Sequence, residues 1–269
     1  MKFLSYYGIE KNIFLDVISE KEAYKSKNYE NVISRLEYLK EVRGIGLFTG
    51  GTGTGKTYAL KCFKESINDE LYELVYVKVN PGLTAFEFLN GMCKSFGLDV
   101  GNCYRNDVCE KIQKEIRKIK EDLGKVTILV IDNAENLKGG MIEDLRSLYE
   151  YEMIDADYLS IVLFGTSEIK IELSKRRYEA FKQRIIMKYE LKNLTREEVR
   201  EYIKTRLELS GQNKMIFKEE AVNALFGVSK GNIRKLNHII ITSLMIGYQM
   251  GKKSINGEII RLAKEEDEV

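Results

Sequence analysis

Four short apolar runs alternate with longer amphipathic segments along most of the chain. The runs cover residues 45–49, 71–79, 126–131 and 159–164. Nearly continuous hydrophobicity in so short a run is typical of a parallel strand that is covered on both faces. Between the runs, apolar residues recur at helical spacing, as they do in residues 107–123. Strands that alternate with helices predict an α/β fold, in which helices cover both faces of a central parallel sheet and give three αβα layers.

The pattern changes at the two ends of the chain. Residues 1–40 form a lead-in of partly helical character, and we expect it to pack on a central αβα domain of residues 41–190. Beyond this domain no further convincing strand appears. Thr195 and Glu198 have the spacing of a capping box, which starts a helix. We therefore predict a small all-helical domain over residues 191–269.

A glycine-rich loop follows the first apolar run directly. It consists of Gly50, Gly51, Thr52, Gly53, Thr54, Gly55, Lys56 and Thr57, which fit the pattern G-x-x-x-x-G-K-[ST]. Glycines allow successive backbone N–H groups to point into one concavity that binds phosphate. Lys56 would reach the β and γ phosphates, and Thr57 would offer its hydroxyl to Mg²⁺. A plain glycine-rich turn is the alternative, but the predicted flanking strand and helix favour a nucleoside triphosphate site.

A second candidate phosphate-site residue, Asp132, ends the apolar run of residues 126–131. A carboxylate at the end of a parallel strand can hold Mg²⁺ through water, opposite the hydroxyl of Thr57. An aspartate that only caps the following loop would give the same pattern. Because the phosphate loop lies in the same chain, the pattern favours a site for a nucleotide and Mg²⁺.

Composition narrows the class of protein. The 269 residues are 44% hydrophobic and 31% charged, which is an ordinary balance for a globular protein. The formal net charge is only +2, so composition does not indicate nucleic-acid binding. No apolar run approaches the ~20 residues of a membrane span, and no signal-peptide pattern appears, so we expect a cytoplasmic protein. The four cysteines and one histidine do not have the spacing of a zinc site.

An ordered set of segments resembles AAA+ ATPases, specifically the ExeA-like group that includes transposition helper ATPases of the TniB, IstB, MuB and TnsC kind. The matching segments are residues 6–8, 12–14, 35–39, 43–47, 50–57, 131–135, 165–166, 183–185 and 231–236. The phosphate loop alone is common to many families, whereas the ordered set is much more specific. The resemblance implies ATP and Mg²⁺ as cofactors, and it implies that the helical domain is a lid.

The resemblance also implies roles for residues outside the loop. Thr166 corresponds to a sensor of the γ-phosphate, although a plain polar strand end has the same pattern. Arg184 corresponds to an arginine finger that reaches a neighbouring subunit's nucleotide, with Arg176 and Arg177 as rivals. Arg234 corresponds to a second sensor in the lid, and a surface arginine is its alternative.

One position departs from the family pattern. The residue after the strand-end aspartate is usually a glutamate that orients or deprotonates water, and here it is Asn133. An amide can orient water by hydrogen bonding, but it cannot act as a carboxylate base. Glu135 could substitute only if the loop turns it inward. We therefore hypothesise that the protein binds ATP and hydrolyses it slowly or not at all.

The implied partners follow from the arginine finger and from two basic clusters. A finger supplied to a neighbour implies a homo-oligomer, either a ring or a helical filament. The clusters could hold double-stranded DNA without sequence readout, although solvated helix faces fit equally well. They are Lys111, Lys114, Arg117, Lys118 and Lys120, and then Lys175, Arg176, Arg177 and Lys182.

The leading hypothesis for function is an ATP-dependent regulator of DNA transposition. Such a protein selects target DNA and recruits or activates a transposase, and it has no membrane partner. An ExeA-like secretion-assembly ATPase is one alternative. A nucleotide-switched scaffold that does not bind DNA is another, because a slow site of this kind can still switch conformation.

Overall fold

The computed structural model describes residues 2–11, 14, 24–101, 104–150 and 158–267, and these form two compact units. The sheet unit consists of Glu30–Gly51 and Lys56–Leu191. The helical unit consists of Met1–Tyr29, Thr52–Gly55 and Lys192–Val269. Asn12 and Ile13, which take part in the family resemblance, lie outside the described residues.

A parallel sheet of five strands is the centre of the sheet unit. Its strands are β1 (Ile45–Gly50), β2 (Tyr72–Lys78), β3 (Val126–Asp132), β4 (Leu159–Gly165) and β5 (Ile185–Leu191). They lie in the order β2-β3-β4-β1-β5, and each neighbouring pair is parallel. The predicted α/β fold with a central parallel sheet is confirmed. The carboxyl ends of β3, β4 and β1 lie side by side at one edge, where a parallel sheet binds its ligands.

The apolar runs do not reveal β5. This strand lies at the edge of the sheet beside β1. Its buried and exposed residues alternate, so that Ile185 and Leu191 are buried whereas Ile186, Lys188 and Glu190 are exposed. Continuous hydrophobicity marks strands that are covered on both faces, and an edge strand with an exposed face does not need it.

Helices flank the sheet and form the helical unit. They are α1 (Lys2–Tyr6), α2 (Lys27–Val42), α3 (Lys56–Ser66), α4 (Ala85–Ser95), α5 (Arg105–Leu123), α6 (Gly140–Glu150), α7 (Glu168–Leu173), α8 (Glu179–Gln183), α9 (Arg196–Leu209), α10 (Glu219–Ser229), α11 (Ile233–Gln249) and α12 (Gly257–Asp267). The predicted capping box is present at the start of α9, where the Thr195 hydroxyl accepts a hydrogen bond from the Glu198 N–H at 3.2 Å. Within the described ranges, no helix is both long and apolar enough to span a bilayer.

Apolar side chains cover both faces of the sheet. Both β3 and β4 are buried along their whole length. On one face, Leu89 of α4, Ile112 of α5 and Leu145 of α6 are fully buried. On the other face, Phe48 and Phe164 stack with their ring centroids 5.1 Å apart. Burial on both faces explains why these strands appear in the sequence as continuous apolar runs.

The lead-in of residues 1–40 is divided between the two units. Residues up to Tyr29 belong to the helical unit, and residues from Glu30 belong to the sheet unit. In the helical unit, Tyr7 is buried in the core, and its hydroxyl donates to the carbonyl oxygen of Lys252 at 2.9 Å. In the sheet unit, α2 lies against β1 so closely that a Cβ on Gly46 would be 2.5 Å from Leu39 Cδ2. The two parts of the lead-in separate because their apolar side chains belong to different cores.

Candidate nucleotide-binding site

The phosphate loop connects β1 to α3 and has an unusual backbone. The φ angle is 76° at Gly53 and 96° at Gly55, in the left-handed region that residues with a Cβ rarely adopt. Lys56 is the first residue of α3, and its Nζ donates to the carbonyl oxygens of Gly50 at 2.6 Å and Gly51 at 2.8 Å. The ammonium group is therefore held at the loop backbone, where triphosphate oxygens would replace the carbonyls as its partners.

The tip of the loop, which belongs to the helical unit, is bonded to the amino end of α11. Asn232 Nδ2 donates to the carbonyl oxygen of Thr52 at 2.5 Å. The N–H of Ile233 donates to the carbonyl oxygen of Gly53 at 3.1 Å. Arg234 is exposed in the first turn of α11, and a Cβ added to Gly53 would lie 3.0 Å from its Cβ. The structure therefore brings the candidate second sensor to the loop tip.

Asp132 lies at the carboxyl end of β3, and only 5% of the residue is exposed. Its Oδ1 accepts from the Asn133 N–H at 2.9 Å, and its Oδ2 accepts from the Tyr76 hydroxyl at 2.8 Å. Burial, followed by the bond to Asp132 and its negative charge, raises the pKa of Tyr76, which therefore remains a donor at neutral pH. Tyr76 pairs with Val130, two residues before Asp132 and on the same face of the sheet. Sequence reasoning missed Tyr76, because this register is known only from the fold.

The residues proposed for Mg²⁺ supply suitable ligand atoms. Thr57 is exposed in the first turn of α3, and Asp132 ends β3. Hydroxyl and carboxylate oxygens are the hard ligands that Mg²⁺ prefers, and water and phosphate oxygens usually complete its octahedron. Among the described residues, no group of three or more His, Cys, Asp or Glu side chains could hold a metal. An ion here would therefore depend on the nucleotide for further ligands.

The segment after β3 directs Asn133 and Glu135 to different places. Asn133 has a left-handed backbone with φ of 56°, which asparagine tolerates better than most residues. It precedes a 3-10 turn at Ala134–Asn136. Glu135 is the middle residue of this turn, and its Oε2 accepts a hydrogen bond from the Thr166 N–H, at the end of β4, at 2.9 Å. Gly165 leaves room for this contact, since a Cβ there would lie 2.8 Å from the same carboxylate oxygen.

The hydroxyl oxygen of Thr166 is buried and has no hydrogen-bond partner among the described residues. Buried polar groups normally have a partner, so a hydroxyl of this kind is available to a bound ligand or water. The structure thus brings together Glu135 and Thr166, two of the candidate catalytic residues. They meet where β4 ends, between β3 and β1.

Arg184, the candidate arginine finger, is held within its own chain. Its Nη2 lies 2.6 Å from Glu150 Oε1, and its Nη1 donates to the carbonyl oxygen of Ala180 at 2.7 Å. Its Nε is buried and has no partner among the residues that the structure describes. In this conformation the guanidinium would have to leave Glu150 before it could reach a neighbouring subunit.

The two rival arginines differ in whether their side chains are paired within the chain. Arg177 Nη2 lies 3.2 Å from Glu172 Oε1, and its guanidinium carbon lies 4.6 Å from the centroid of the Tyr178 ring. Arg176 is exposed, and its side chain has no partner in the described part of the chain. Of the three candidates, Arg176 has the charge that is most available to another molecule.

Carboxylates close by in the sequence pair with much of the two basic clusters. In α5 the pairs are Lys114 with Glu110 at 2.7 Å, Arg117 with Glu121 at 3.8 Å and Lys118 with Glu115 at 3.9 Å. In the second cluster, Lys175 and Arg177 both pair with Glu172, and Lys182 lies 3.8 Å from Glu179. All of these pairs except that of Arg177 with Glu172 join residues three or four apart, as is typical of solvated helix faces. The arrangement favours that interpretation over a continuous surface for phosphates.

Comparisons with known proteins agree with this architecture. A family model described as an AAA domain matches residues 39–171. The chain is also 29% identical over 271 residues to general secretion pathway protein A from Aeromonas hydrophila, a match that covers 98% of this chain and 48% of the relative. The chain therefore spans about half the length of this relative. Both matches support the resemblance to ExeA-like AAA+ ATPases.

Solved structures with a similar fold include two proteins of the Orc and Cdc6 kind. The Aeropyrum pernix Orc1 protein in complex with DNA has a TM-score of 0.69 at 17% identity, covering 95% of this chain and 69% of that chain. Cdc6p from Pyrobaculum aerophilum has a TM-score of 0.71 at 16% identity, covering 93% of this chain and 70% of that chain. At these identities the likeness concerns the fold alone, and it confirms the predicted AAA+ three-layer fold with a helical C-terminal region.

Proposed function

We propose that the protein binds ATP with Mg²⁺ and acts as a nucleotide-dependent assembly switch. The match of residues 39–171 to the AAA domain model and the AAA+ fold support this proposal. One contrast carries this proposal. The phosphate loop is complete at every fixed position, whereas Asn133 stands where the AAA+ ATPases that the chain resembles usually have a glutamate. A site built in this way retains ATP and turns it over slowly.

Each side chain of the site has a distinct task in this proposal. The N–H groups of the loop and Lys56 bind phosphate oxygens. Thr57 and Asp132 would hold Mg²⁺, which would supply positive charge to the phosphates. Asn133 donates or accepts a hydrogen bond with the attacking water but does not take its proton. Glu135, whose carboxylate is bonded to the Thr166 N–H, is the carboxylate that remains to accept the proton of the water.

The proposed assembly is a homo-oligomer, either a ring or a helical filament, in which an arginine of one subunit approaches the nucleotide of the next. The exposure of Arg176 supports it as that arginine. The ion pair between Arg184 and Glu150 counts against Arg184 in this conformation. Arg234 acts from the lid of its own chain, and its position at the loop tip supports this role.

Gel filtration with light scattering tests the switch. Wild-type protein should form an oligomer with ATP and Mg²⁺ and a smaller species without nucleotide. The Lys56→Ala variant should remain small under both conditions, because it lacks the cation that binds the β and γ phosphates. Equal assembly of the variant and the wild type would contradict the proposal.

Two classes of partner suit such a switch. Similarity to general secretion pathway protein A supports a role in the assembly of a secretion system. The second candidate is a regulator of transposition that binds double-stranded DNA without sequence preference and recruits or activates a transposase in the cytoplasm. The family resemblance and the likeness in fold to Orc1 in complex with DNA support it. The ion pairs within the two basic clusters count against those clusters as the DNA surface.

Assembly in the presence and absence of duplex DNA separates the two partner classes. Oligomers that DNA stimulates, with an affinity that falls steeply as salt rises, would support the transposition role. Oligomers that are indifferent to DNA would favour the secretion role or a nucleotide-switched scaffold. A flat salt response would argue against binding through the phosphate backbone.

A further inference from the structure

Backbone carbonyls of a phosphate-binding loop need partners of their own. When successive N–H groups converge on an anion, the carbonyl groups between them point elsewhere, and buried or half-buried carbonyls are normally hydrogen-bonded. In this chain the amino end of α11 supplies those partners. Asn232 Nδ2 donates to the Thr52 carbonyl oxygen at 2.5 Å, and the Ile233 N–H donates to that of Gly53 at 3.1 Å.

The side chain of Asn232 serves two structures at once. Its Oδ1 accepts from the N–H of Lys235 at 3.1 Å, which caps α11, while its Nδ2 is bonded to Thr52. Aspartate could cap the helix equally well but has no donor for the carbonyl. Serine could also cap the helix, but its side chain is shorter. The amide thus meets a requirement that helix capping alone does not impose.

Gly53 supports the same contact from the other side. In the pattern G-x-x-x-x-G-K-[ST] this position is free, so phosphate binding alone does not require glycine there. Here φ is 76°, and a Cβ would lie 2.4 Å from Asn232 Oδ1. Glycine is therefore needed for the close approach of Asn232 as well as for the backbone angle.

Gly231 fixes the start of α11 in a similar way. Its φ is 74°, and a Cβ on it would lie 1.9 Å from the Leu194 carbonyl oxygen. The Leu194 N–H donates to the Gly231 carbonyl oxygen at 3.0 Å. The residue before Asn232 is thus held against the segment that leads into α9, which leaves little freedom for the amino end of α11.

We propose that Asn232 is a positioning residue for the phosphate loop, through which the amino end of α11 sets the shape of the loop tip and thereby the affinity for nucleotide. This inference rests on the proposed function, in which the loop binds ATP. In this proposal, α11 positions the phosphate loop in addition to carrying Arg234. Any partner that displaces the amino end of α11 would weaken nucleotide binding.

The test substitutes serine for asparagine, because serine keeps the cap and adds no charge near the phosphates. Asn232→Ser should bind a fluorescent ATP analogue roughly 3- to 10-fold more weakly than wild type, as expected for one lost hydrogen bond. Asn256→Ser is the matched control, since Asn256 Oδ1 accepts from the Ile259 N–H at 3.1 Å at the start of α12. Both variants should remain folded, with thermal midpoints within about 5 °C of wild type.

A double-mutant cycle shows whether Asn232 acts through the loop tip. Gly53→Ala should weaken ATP binding by forcing Asn232 away, and adding Asn232→Ser should then have little further effect. Wild-type affinity in Asn232→Ser, or equal weakening in Asn256→Ser, would overturn the inference and leave the proposed function intact. A wild type that binds no ATP would overturn both together, so the two failures are distinguishable.

Discussion

The phosphate loop and the segment after β3 are the two halves of the candidate site. They depart to different degrees from the pattern of the AAA+ ATPases that the chain resembles. The loop keeps every fixed residue, and its lysine already lies at the loop backbone. The segment after β3 keeps Asp132 but has Asn133 at the next position, with φ of 56°. Its carboxylate, Glu135, is bonded at the end of the neighbouring strand β4.

In the proposed function, this difference separates nucleotide binding from nucleotide turnover. Binding depends on backbone N–H groups and one cation, whereas turnover depends on a carboxylate or amide placed beside the attacking water. A change in the second half can slow the reaction without loss of affinity. Variants that change only one half therefore test whether binding and turnover are separate.

The largest effect is expected in the binding half. Lys56→Ala should lower the affinity for ATP on the order of 100-fold, because charge-assisted bonds to phosphate are lost. Titration with a fluorescent ATP analogue measures the change. Lys61→Ala, on the same helix and paired with Glu65 at 3.5 Å, is the matched control and should bind like wild type. Equal affinities for Lys56→Ala and Lys61→Ala would refute the assignment of the loop.

A smaller effect, confined to turnover, is expected in the other half. Glu135→Gln should reduce any residual hydrolysis at least ~10-fold, because the amide cannot accept a proton. Its affinity for ATP should stay at the wild-type value. Phosphate release under saturating ATP measures this, with Glu143→Gln on α6 as the control. Unchanged hydrolysis would mean that Glu135 has no part in the reaction.

In the proposed oligomer, an arginine of one subunit acts on the nucleotide site of the next. Arg176→Ala should remove any stimulation of hydrolysis by assembly, roughly 10-fold or more, and leave stability unchanged. Arg184→Ala should instead lower the free energy of unfolding by about 1 kcal/mol, because it breaks a mostly buried pair with Glu150. Turnover measured against protein concentration, together with thermal unfolding, separates the two. The reverse result would restore Arg184 as the finger.

The smallest effect concerns the backbone of Asn133. Glycine adopts the left-handed region freely, so Asn133→Gly should leave the free energy of unfolding within about 0.5 kcal/mol of wild type. Asn133→Ala should lower it by about 1 kcal/mol, since a Cβ without a local hydrogen bond is strained there. Denaturant unfolding of both variants measures this. Equal stabilities would indicate that the left-handed conformation imposes no constraint on this residue.

Local patterns predict the covered strands and the phosphate loop well, because each of these features lies within one contiguous segment of the sequence. Continuous apolar runs reveal β3 and β4, whereas β5 alternates charged and apolar residues at the sheet edge. Contacts between distant elements are not visible in this way. The bond from Thr166 to Glu135, and that from Tyr76 to Asp132, depend on which strands are neighbours. The pairing of Arg184 with Glu150 likewise depends on the packing of α8 beside α6, which the sequence alone does not give.

The most direct test of the separation between binding and turnover is the steady-state ATPase rate of the wild type and of Asn133→Glu, each at saturating ATP. The wild type should bind ATP yet turn it over far below the ~10 per second of a typical enzyme. Asn133→Glu should be faster, even though glutamate pays a strain of about 1 kcal/mol at this backbone position. Wild-type turnover at or above the typical enzyme rate, unaffected by Asn133→Glu, would contradict the central claim.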